Sequence, residues 1–516
     1  MPIKILWADD EIDLLKPQLL YLEGKGYEVL PVTNGQDAIE SVVEPTVDIV
    51  FLDENMPGLS GLETLSEIKK VRPEIPVVMI TKNEAEDLME DAIGQQITDY
   101  LIKPVKPQQI LLTLKKIVDN DRLVVEHTNA AYQQDFQKIF MQLNEDNDAA
   151  GWVDIYQKLV RWELEMDRPG ADQMKEVLSM QKQEANVAFS KFMIRHYLNW
   201  IAGAEDSPVL SHQVLEKKLF PNLEEGGTPT FLIVIDNLRM DQYRVIQPVL
   251  SSMFRQTSDD YYYSILPTST QYARNAIFAG LLPSEIQKRM PKMWKHDHED
   301  GGKNMHEKDF LVDNLSRHRL SLKHSYTKVT NHAAGRELED NILNMMHNDL
   351  NVIVYNFVDM LSHARTEMEV LKELASDESA YRSLTDSWFE HSPLLSALKR
   401  LEGKNVNIVL TTDHGTIRVR QPSKLVGDRN TTTNLRYKGG KNLQYVEKDV
   451  LEVRDPEAAG LPKANVSTSY VFAKEDLFFV YPNNYNHYVN YFRDTFQHGG
   501  ISLEEVIIPY ASFTSR

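Results

Sequence analysis

The stretch VNIVLTTDHG, residues 406–415, reads as a short apolar strand that ends in an aspartate, a histidine and a glycine. Two others follow the same pattern: FLIVID, 231–236, ends at Asp236, and VIVYNFVD, 352–359, ends at Asp359. In an open parallel sheet, ligands gather at the carboxyl ends of the strands, so residues remote in sequence converge there. Asp236, Asp359, Asp413 and His414, with His363 and His498, supply six metal-ligand side chains, enough for two ions in one pocket. Carboxylate and imidazole suit zinc or manganese, and Thr270, between the first two strands, is the candidate nucleophile. The pattern predicts an α/β unit that carries out metal-assisted phosphoryl chemistry.

Local spacing supports each role. In PTSTQYARNAIFAG, 267–280, a hydroxyl-rich loop runs into a helical pattern, which sets Thr270 in the field of a helix N-terminus, where anions bind. Asp359 and His363 stand four residues apart, one helical turn, so one ion can take both. Gly415 permits a sharp exit after His414, and Gly499 with Gly500 lets backbone approach closely after His498. Arg274, Asn275 and the Gln271 amide are the nearest donors for phosphoryl oxygens. A basic strip from Ile417 to Lys441 holds Arg418, Arg420, Lys424, Arg429, Arg436 and Lys438 with Tyr437. It reads equally as a cover for a polyanionic or nucleotide substrate and as a solvated loop. The segment WKHDHEDGGKNMH, 294–306, reads as an exposed charged loop, and no metal is assigned to His296, His298 or His306.

The remaining composition narrows the class. A chain of 516 residues with 42% hydrophobic and 26% charged residues is ordinary globular material for about three domains. Having no cysteine, it cannot use disulfides, thiolate zinc ligands or thiol nucleophiles. A net charge of −20 opposes non-specific attraction to a phosphate backbone, and with no helix-turn-helix signature, sequence-specific DNA binding is not expected. MPIKILWADDE, 1–11, goes straight into a strand, and no apolar run approaches the roughly 20 residues of a membrane span. A cytoplasmic protein without membrane insertion is the expectation.

Outward from the decisive stretches, the organisation has three parts. Residues 1–120 alternate strands (IKILWA, YEVLPV, VDIVFLD, PVVMIT, DYLIK) with helical patterns, the signature of a doubly wound parallel sheet. Residues 121–205 switch to helical spacing and predict a bundle with Trp152, Ile155, Tyr156 and Leu159 in its core. Residues 206–516 form the second α/β unit. In the first part, Asp9, Asp10, Asp53, Thr81 and Lys103 all fall at strand ends. Three crowded acids suit magnesium, with the Asn55 carbonyl as a further oxygen, and Asp53 can attack a phosphoryl donor while Thr81 and Lys103 hold its oxygens.

The runs FLDENMPGLSG, 51–61, and DYLIKP, 99–104, resemble the receiver domain of two-component response regulators, which has a flavodoxin-like fold. That resemblance implies Asp53 phosphorylated by a sensor histidine kinase, magnesium on Asp9 and Asp10, and a coupled switch of Thr81 with Tyr100. Lys82 departs from the small residue usual there. The combination of IVIDNLRMDQY, 233–243, TTDHG, 411–415, and HGGISLEEVIIP, 498–509, resembles the PglZ branch of the alkaline phosphatase superfamily. By that pattern one zinc takes Asp359, His363 and His498, the other takes Asp236, Asp413 and His414, and Thr270 bridges to the second. The order of the three parts resembles PorX-type response regulators. This implies control of type IX secretion, a phosphorylation-dependent homodimer through the receiver face at 84–118, and a sigma factor as a further partner. The expected activity is a phosphodiesterase on nucleotide or oligonucleotide phosphates. The alternative is a non-catalytic regulator that uses a metal-stabilised domain as a protein-binding platform.

Overall fold

A computed structural model describes residues 3–43, 46–82, 97–167, 172–359, 361, 377–428 and 431–516. The chain divides into two compact units, Met1–Ala131 and Tyr132–Arg516.

In the first unit, β1 (Lys4–Ala8), β2 (Glu28–Val32), β3 (Ile49–Asp53), β4 (Val77–Thr81) and β5 (Asp99–Ile102) form one sheet in the order β2-β1-β3-β4-β5. Every pairing is parallel. The apolar runs are continuous because both faces are covered. Leu6, Ala8, Val50, Leu52, Val77 and Met79 pack on one side, and Ile5, Trp7, Ile49, Phe51, Val78 and Ile80 on the other. Helices α1 (Lys16–Glu23), α2 (Gly35–Val42) and α3 (Gly61–Val71) occupy the crossovers. The start of α3 is fixed by a capping box in which Ser60 and Glu63 satisfy each other's backbone amides. The strand order reverses beside β1, and Asp9 and Asp53 end the adjacent strands at that crevice. Residues 84–96 of the 84–118 face expected to mediate dimerisation lie outside the described residues.

The second unit is built on a six-stranded sheet. Its strands are β6 (Thr230–Ile235), β7 (Phe254–Tyr263), β8 (His324–Val329), β9 (Leu350–Tyr355), β10 (Asn407–Thr411) and the C-terminal strand Ile507–Ser515. The order is β7, C-terminal strand, β10, β6, β9, β8. The C-terminal strand runs antiparallel to both its neighbours, so the sheet is mixed rather than purely parallel. That strand follows the short helix Leu503–Val506 and returns along β10, which places the segment after His498 beside the strand end carrying Asp413. The three central strands are those the sequence marks out. Registers Val234↔Thr411 and Ile235↔Tyr355 bring their carboxyl ends level.

Helices Ala149–Glu165 and Asp172–Ile201 belong to this unit. Trp152, Ile155, Tyr156 and Leu159 are buried, as their spacing predicts. Phe189 and Trp200 pack on Tyr263 of β7, whose hydroxyl donates to the Ala149 carbonyl at 2.7 Å.

Candidate metal centre and active site

β6 ends one residue before Asp236, and the chain turns through Asn237 in a left-handed conformation (φ 64°). β10 ends two residues before Asp413, which is fully buried with Thr412 and His414. The turn is held from both sides. Asn237 N–H and His414 N–H donate to Asp413 Oδ1 at 3.2 and 3.1 Å, Leu238 N–H donates to Thr412 Oγ1 at 3.0 Å, and Ser264 Oγ donates to the Asp413 carbonyl at 2.8 Å. Such bonds fix a carboxylate before any ion arrives.

Asp236, Asp413 and His414 offer ligand atoms that all lie within 4.8 Å of one another. His414 Nε2 is 3.9 Å from Asp236 Oδ1 and 3.8 Å from Asp413 Oδ2. Asp413 Oδ2 is buried and, among the described residues, accepts no hydrogen bond. A buried oxygen of this kind, beside an imidazole and a second carboxylate, fits a divalent cation. Burial pushes the Asp236 carboxyl up to about 6 against the pull of Arg274, and burial raises Asp413 as well. Both shifts register the cost of holding two carboxylates here without full compensation.

Thr270 begins the helix Thr270–Ala279. Its Oγ1 lies 3.3 Å from Asp236 Oδ1 and 3.1 Å from His414 Nε2, and the first amides of the helix have no carbonyl partner within it. The preceding loop is tied to the other histidine. Thr268 O is 3.1 Å from His498 Nδ1, Gly499 N–H donates to Thr268 Oγ1 at 3.1 Å, and Thr268 Oγ1 donates to Gly500 O at 2.9 Å. His498 stacks on His414 at 4.2 Å and points Nε2 to within 3.8 Å of Asp359 Oδ1. Asp236, Asp413 and His414 thus meet beside Thr270, His498 adjoins them with Asp359 next to it, and His363 lies outside the described residues.

The substrate contacts need correction. Arg274 does not stand open to a ligand: it is buried, with Nη1 2.5 Å from Asp236 Oδ2 and 3.7 Å from Asp413 Oδ2, and Nε on Glu307. Asn275 is engaged by the neighbouring loop, donating to Lys303 O at 3.2 Å and accepting from Asn304 Nδ2 at 2.9 Å. Arg418 pairs with Asp494 at 3.1 Å, and with Arg420 it lines a separate cavity of about 800 Å³ that Thr270 does not border. The basic strip is neither cover nor solvated loop at its centre. Arg436 is fully buried on Glu505 at 2.6 Å, and Lys438 donates internally to Thr432 O at 2.8 Å. Arg429 lies outside the described residues. The 294–306 segment also packs inward: Trp294 is buried, and Asp297 accepts from the Tyr272 and Tyr437 hydroxyls at 2.8 and 3.2 Å.

Glu307 is a buried carboxylate beside the site that the sequence reading missed. It sits at the end of a charged stretch, yet only 1% of its side chain is exposed, and it holds Arg274 and Lys328. Its signal was the helical pattern that begins with it, Glu307–Arg317, set directly after the supposed loop.

In the first unit, Asp9, Asp10 and Asp53 form a second group of acids close enough to share an ion. Lys103 Nζ bridges Asp9 Oδ2 at 2.8 Å and Asp53 Oδ1 at 3.0 Å. Burial raises Asp53, with Lys103 opposing and the neighbouring acids adding. Asp10 and Asn55 are exposed, so the acid cluster opens to solvent, as a magnesium ion that keeps waters requires. Thr81 donates to Glu54, and Tyr100, at 40% exposure, stands outward. Lys82 reaches Glu11 at 3.8 Å.

Three family models match the chain. They are the BREX system PglZ alkaline phosphatase-like domain over residues 214–513, the PorX response regulator linker domain over 122–201, and the response regulator receiver domain over 5–115. Similar curated proteins include the transcriptional regulatory protein ZraR of Klebsiella oxytoca, 37% identical over 121 residues, which are 23% of this chain and 27% of that protein. Another is ResD of Bacillus subtilis, 29% identical over 146 residues, 28% of this chain and 60% of that one. Matches therefore span between 27% and 60% of these two relatives' own length. A solved receiver domain from Clostridium thermocellum is 32% identical at a TM-score of 0.22, covering 23% of this chain and 98% of its own. No helix among the described residues is long and apolar enough to cross a membrane.

Proposed function

The chain is a PorX-type response regulator, a CheY-like receiver joined through a helical linker to a PglZ alkaline-phosphatase-like domain, and from that premise we propose that its second unit is a phosphodiesterase with Thr270 as nucleophile. The observation that carries this reading is the position of Thr270 Oγ1, within 3.3 Å of both Asp236 and His414 at the start of a helix.

Asp236, Asp413 and His414 would hold one ion, zinc or manganese, and Asp359 with His498 and His363 the other. Bound there, such ions act as Lewis acids on phosphoryl oxygens and lower the pKa of a coordinated hydroxyl. The protein's own contribution is positioning. Asp236 and His414 set the Thr270 hydroxyl beside the ion they would hold, its proton leaves to water, the helix N-terminus favours the anionic oxygen, and the fixed Asp413 turn keeps these groups in place before substrate arrives. Attack by Thr270 on phosphorus displaces one ester oxygen, and water then releases the phosphoryl group from the threonine.

Nucleotide or oligonucleotide phosphates are the proposed substrates. Asp53, phosphorylated by a sensor histidine kinase with magnesium at Asp9, Asp10 and the Asn55 carbonyl, is the proposed control, exerted through a phosphorylation-dependent homodimer. Thr81, Lys103 and Tyr100 are its proposed switch. Regulation of type IX secretion, with a sigma factor as a partner, is the setting that the kinship with PorX linkers supports. Purified protein, loaded with zinc or manganese, is assayed against a panel of phosphate mono- and diesters. Turnover of diesters that disappears in Thr270→Ala supports the reading, and stoichiometric metal with no turnover on any ester removes it in favour of a binding platform.

A further inference from the structure

A second cluster of buried charge in the same unit uses none of the residues around Thr270. Helix Asp172–Ile201 contributes Lys182 and Asn186, helix Ala149–Glu165 contributes Glu163, and Asp167 lies just beyond it. Lys182 Nζ stands 2.8 Å from Glu163 Oε1, 2.9 Å from Glu378 Oε2 and 3.0 Å from Glu504 Oε1, with 9% of its side chain exposed. Asn186 Oδ1 accepts from Leu503 N–H at 2.8 Å, and its Nδ2 donates to Glu504 Oε2 at 3.1 Å. Arg382 joins Asp167 at 2.8 Å to Asp241 at 2.9 Å, and Asp241 also accepts from Arg239 Nε at 2.8 Å.

The partners of these helices are not scattered. Arg239 and Asp241 cap and open the helix Met240–Met253 that follows Asp236, Glu378 and Arg382 lie on the helix Glu378–Glu390 downstream of Asp359, and Glu504 follows His498. Glu504 also touches the remaining ligand segment: a Cβ on Gly415 would overlap its carbonyl oxygen, and Gly415 N–H bonds the Glu505 carbonyl at 3.3 Å. One cation thus gathers three carboxylates from three segments, and two of those carboxylates, Glu378 and Glu504, belong to segments that follow metal-ligand positions. Hydrocarbon of the same volume would stabilise such an interior as well or better, so stability alone does not require these charges. What the cluster supplies is one fixed geometry.

We propose that Lys182, assisted by Asn186, is a positioning residue for the metal centre, holding the His498–Glu505 segment and, through Glu504 against Gly415, the His414 side in ligating position. The inference rests on the metal-centre reading given above, and it makes the helical layer a determinant of metal affinity.

The test measures zinc affinity of the full chain by competition with a chromophoric chelator, for the parent, Lys182→Met, Lys182→Arg and Asn186→Ala, each first shown to be folded by circular dichroism. Supporting partners of metal ligands typically govern about 10-fold or more in affinity, so a loss of about that size is expected in Lys182→Met. A loss in the same direction is expected in Asn186→Ala, with Lys182→Arg nearer the parent. Asn186→Ala decides alone should Lys182→Met fail to fold. Folded variants that bind zinc as tightly as the parent overturn the inference while leaving the metal centre standing. A parent that binds neither zinc nor manganese removes both.

Discussion

His414 presents Nε2 to Thr270 Oγ1 at 3.1 Å while its Nδ1 lies 3.1 Å from the Gly415 carbonyl. A carbonyl only accepts, so Nδ1 carries the hydrogen and the Nε2 lone pair faces the threonine hydroxyl and the space shared with Asp236 and Asp413. The first prediction follows from this pairing. Thr270→Ala should lower kcat on a diester by roughly 10³-fold or more, as loss of a nucleophile does, while zinc remains bound. Thr270→Ser, which keeps the hydroxyl, should retain measurable turnover. Steady-state kinetics with metal analysis of each variant checks both.

Metal removal should act on stability as well as on rate. An ion that binds only the folded chain stabilises it by about 2.7 kcal/mol at a concentration 100 times its Kd. Zinc should therefore raise the thermal midpoint of chelator-treated protein, and His414→Ala, which removes a ligand of the Asp236–Asp413 group, should blunt that rise.

Gly415 is required by its neighbour rather than by its backbone angle. A Cβ there would meet the Glu504 backbone carbonyl, which no side-chain rotation can relieve. Gly415→Ala should thus displace His414 relative to Glu504 and reduce both turnover and zinc affinity, measured on folded protein.

Lys438 gives a pH signature. Burial lowers its pKa to about 7, although it still donates to Thr432 O and lies 5.0 Å from the Tyr481 ring. Between pH 7 and the ordinary lysine value the unfolded chain holds a proton that the folded chain lacks, so stability rises with pH across that window and the penalty is complete below it. Lys438→Met should be more stable than the parent at pH 6.5. That advantage should shrink with rising pH by up to about 1.4 kcal/mol per unit, measured by urea unfolding at pH 6.5 and 9.5.

Lys103 bridges Asp9 and Asp53, and these bonds raise its pKa in spite of burial. Incubation with a small-molecule phosphodonor and magnesium should label the parent on Asp53. Asp53→Asn should take no label, and Lys103→Met should lose most of it, with intact-mass spectrometry as the readout.

The strand-end acids were legible because both sheets bury their central strands on two faces, which writes an uninterrupted apolar run that stops at the ligand. Asp236, Asp413 and Asp53 could be read in this way, and so could the Trp152 to Leu159 face of its helix. The mixed sheet was not legible, since the direction of the strand at Ile507–Ser515 depends on the turn before it rather than on its own pattern. The fates of Arg274, Arg436 and Lys438 were hidden for a different reason. A basic side chain reads as a surface or substrate group until its buried partner is known, and Glu307 and Glu505 stand 33 and 69 residues from the arginines they hold. Lys182 was equally silent, because its three carboxylates are brought together only by tertiary packing.

The central claim is that Thr270, rather than water, attacks phosphorus first. The stereochemical outcome at phosphorus tests it most directly, with zinc-loaded protein and a diester made chiral at phosphorus as a phosphorothioate. Two successive in-line displacements, first by Thr270 and then by water, predict net retention of configuration. Net inversion would mean a single displacement by water and would contradict the role assigned to Thr270.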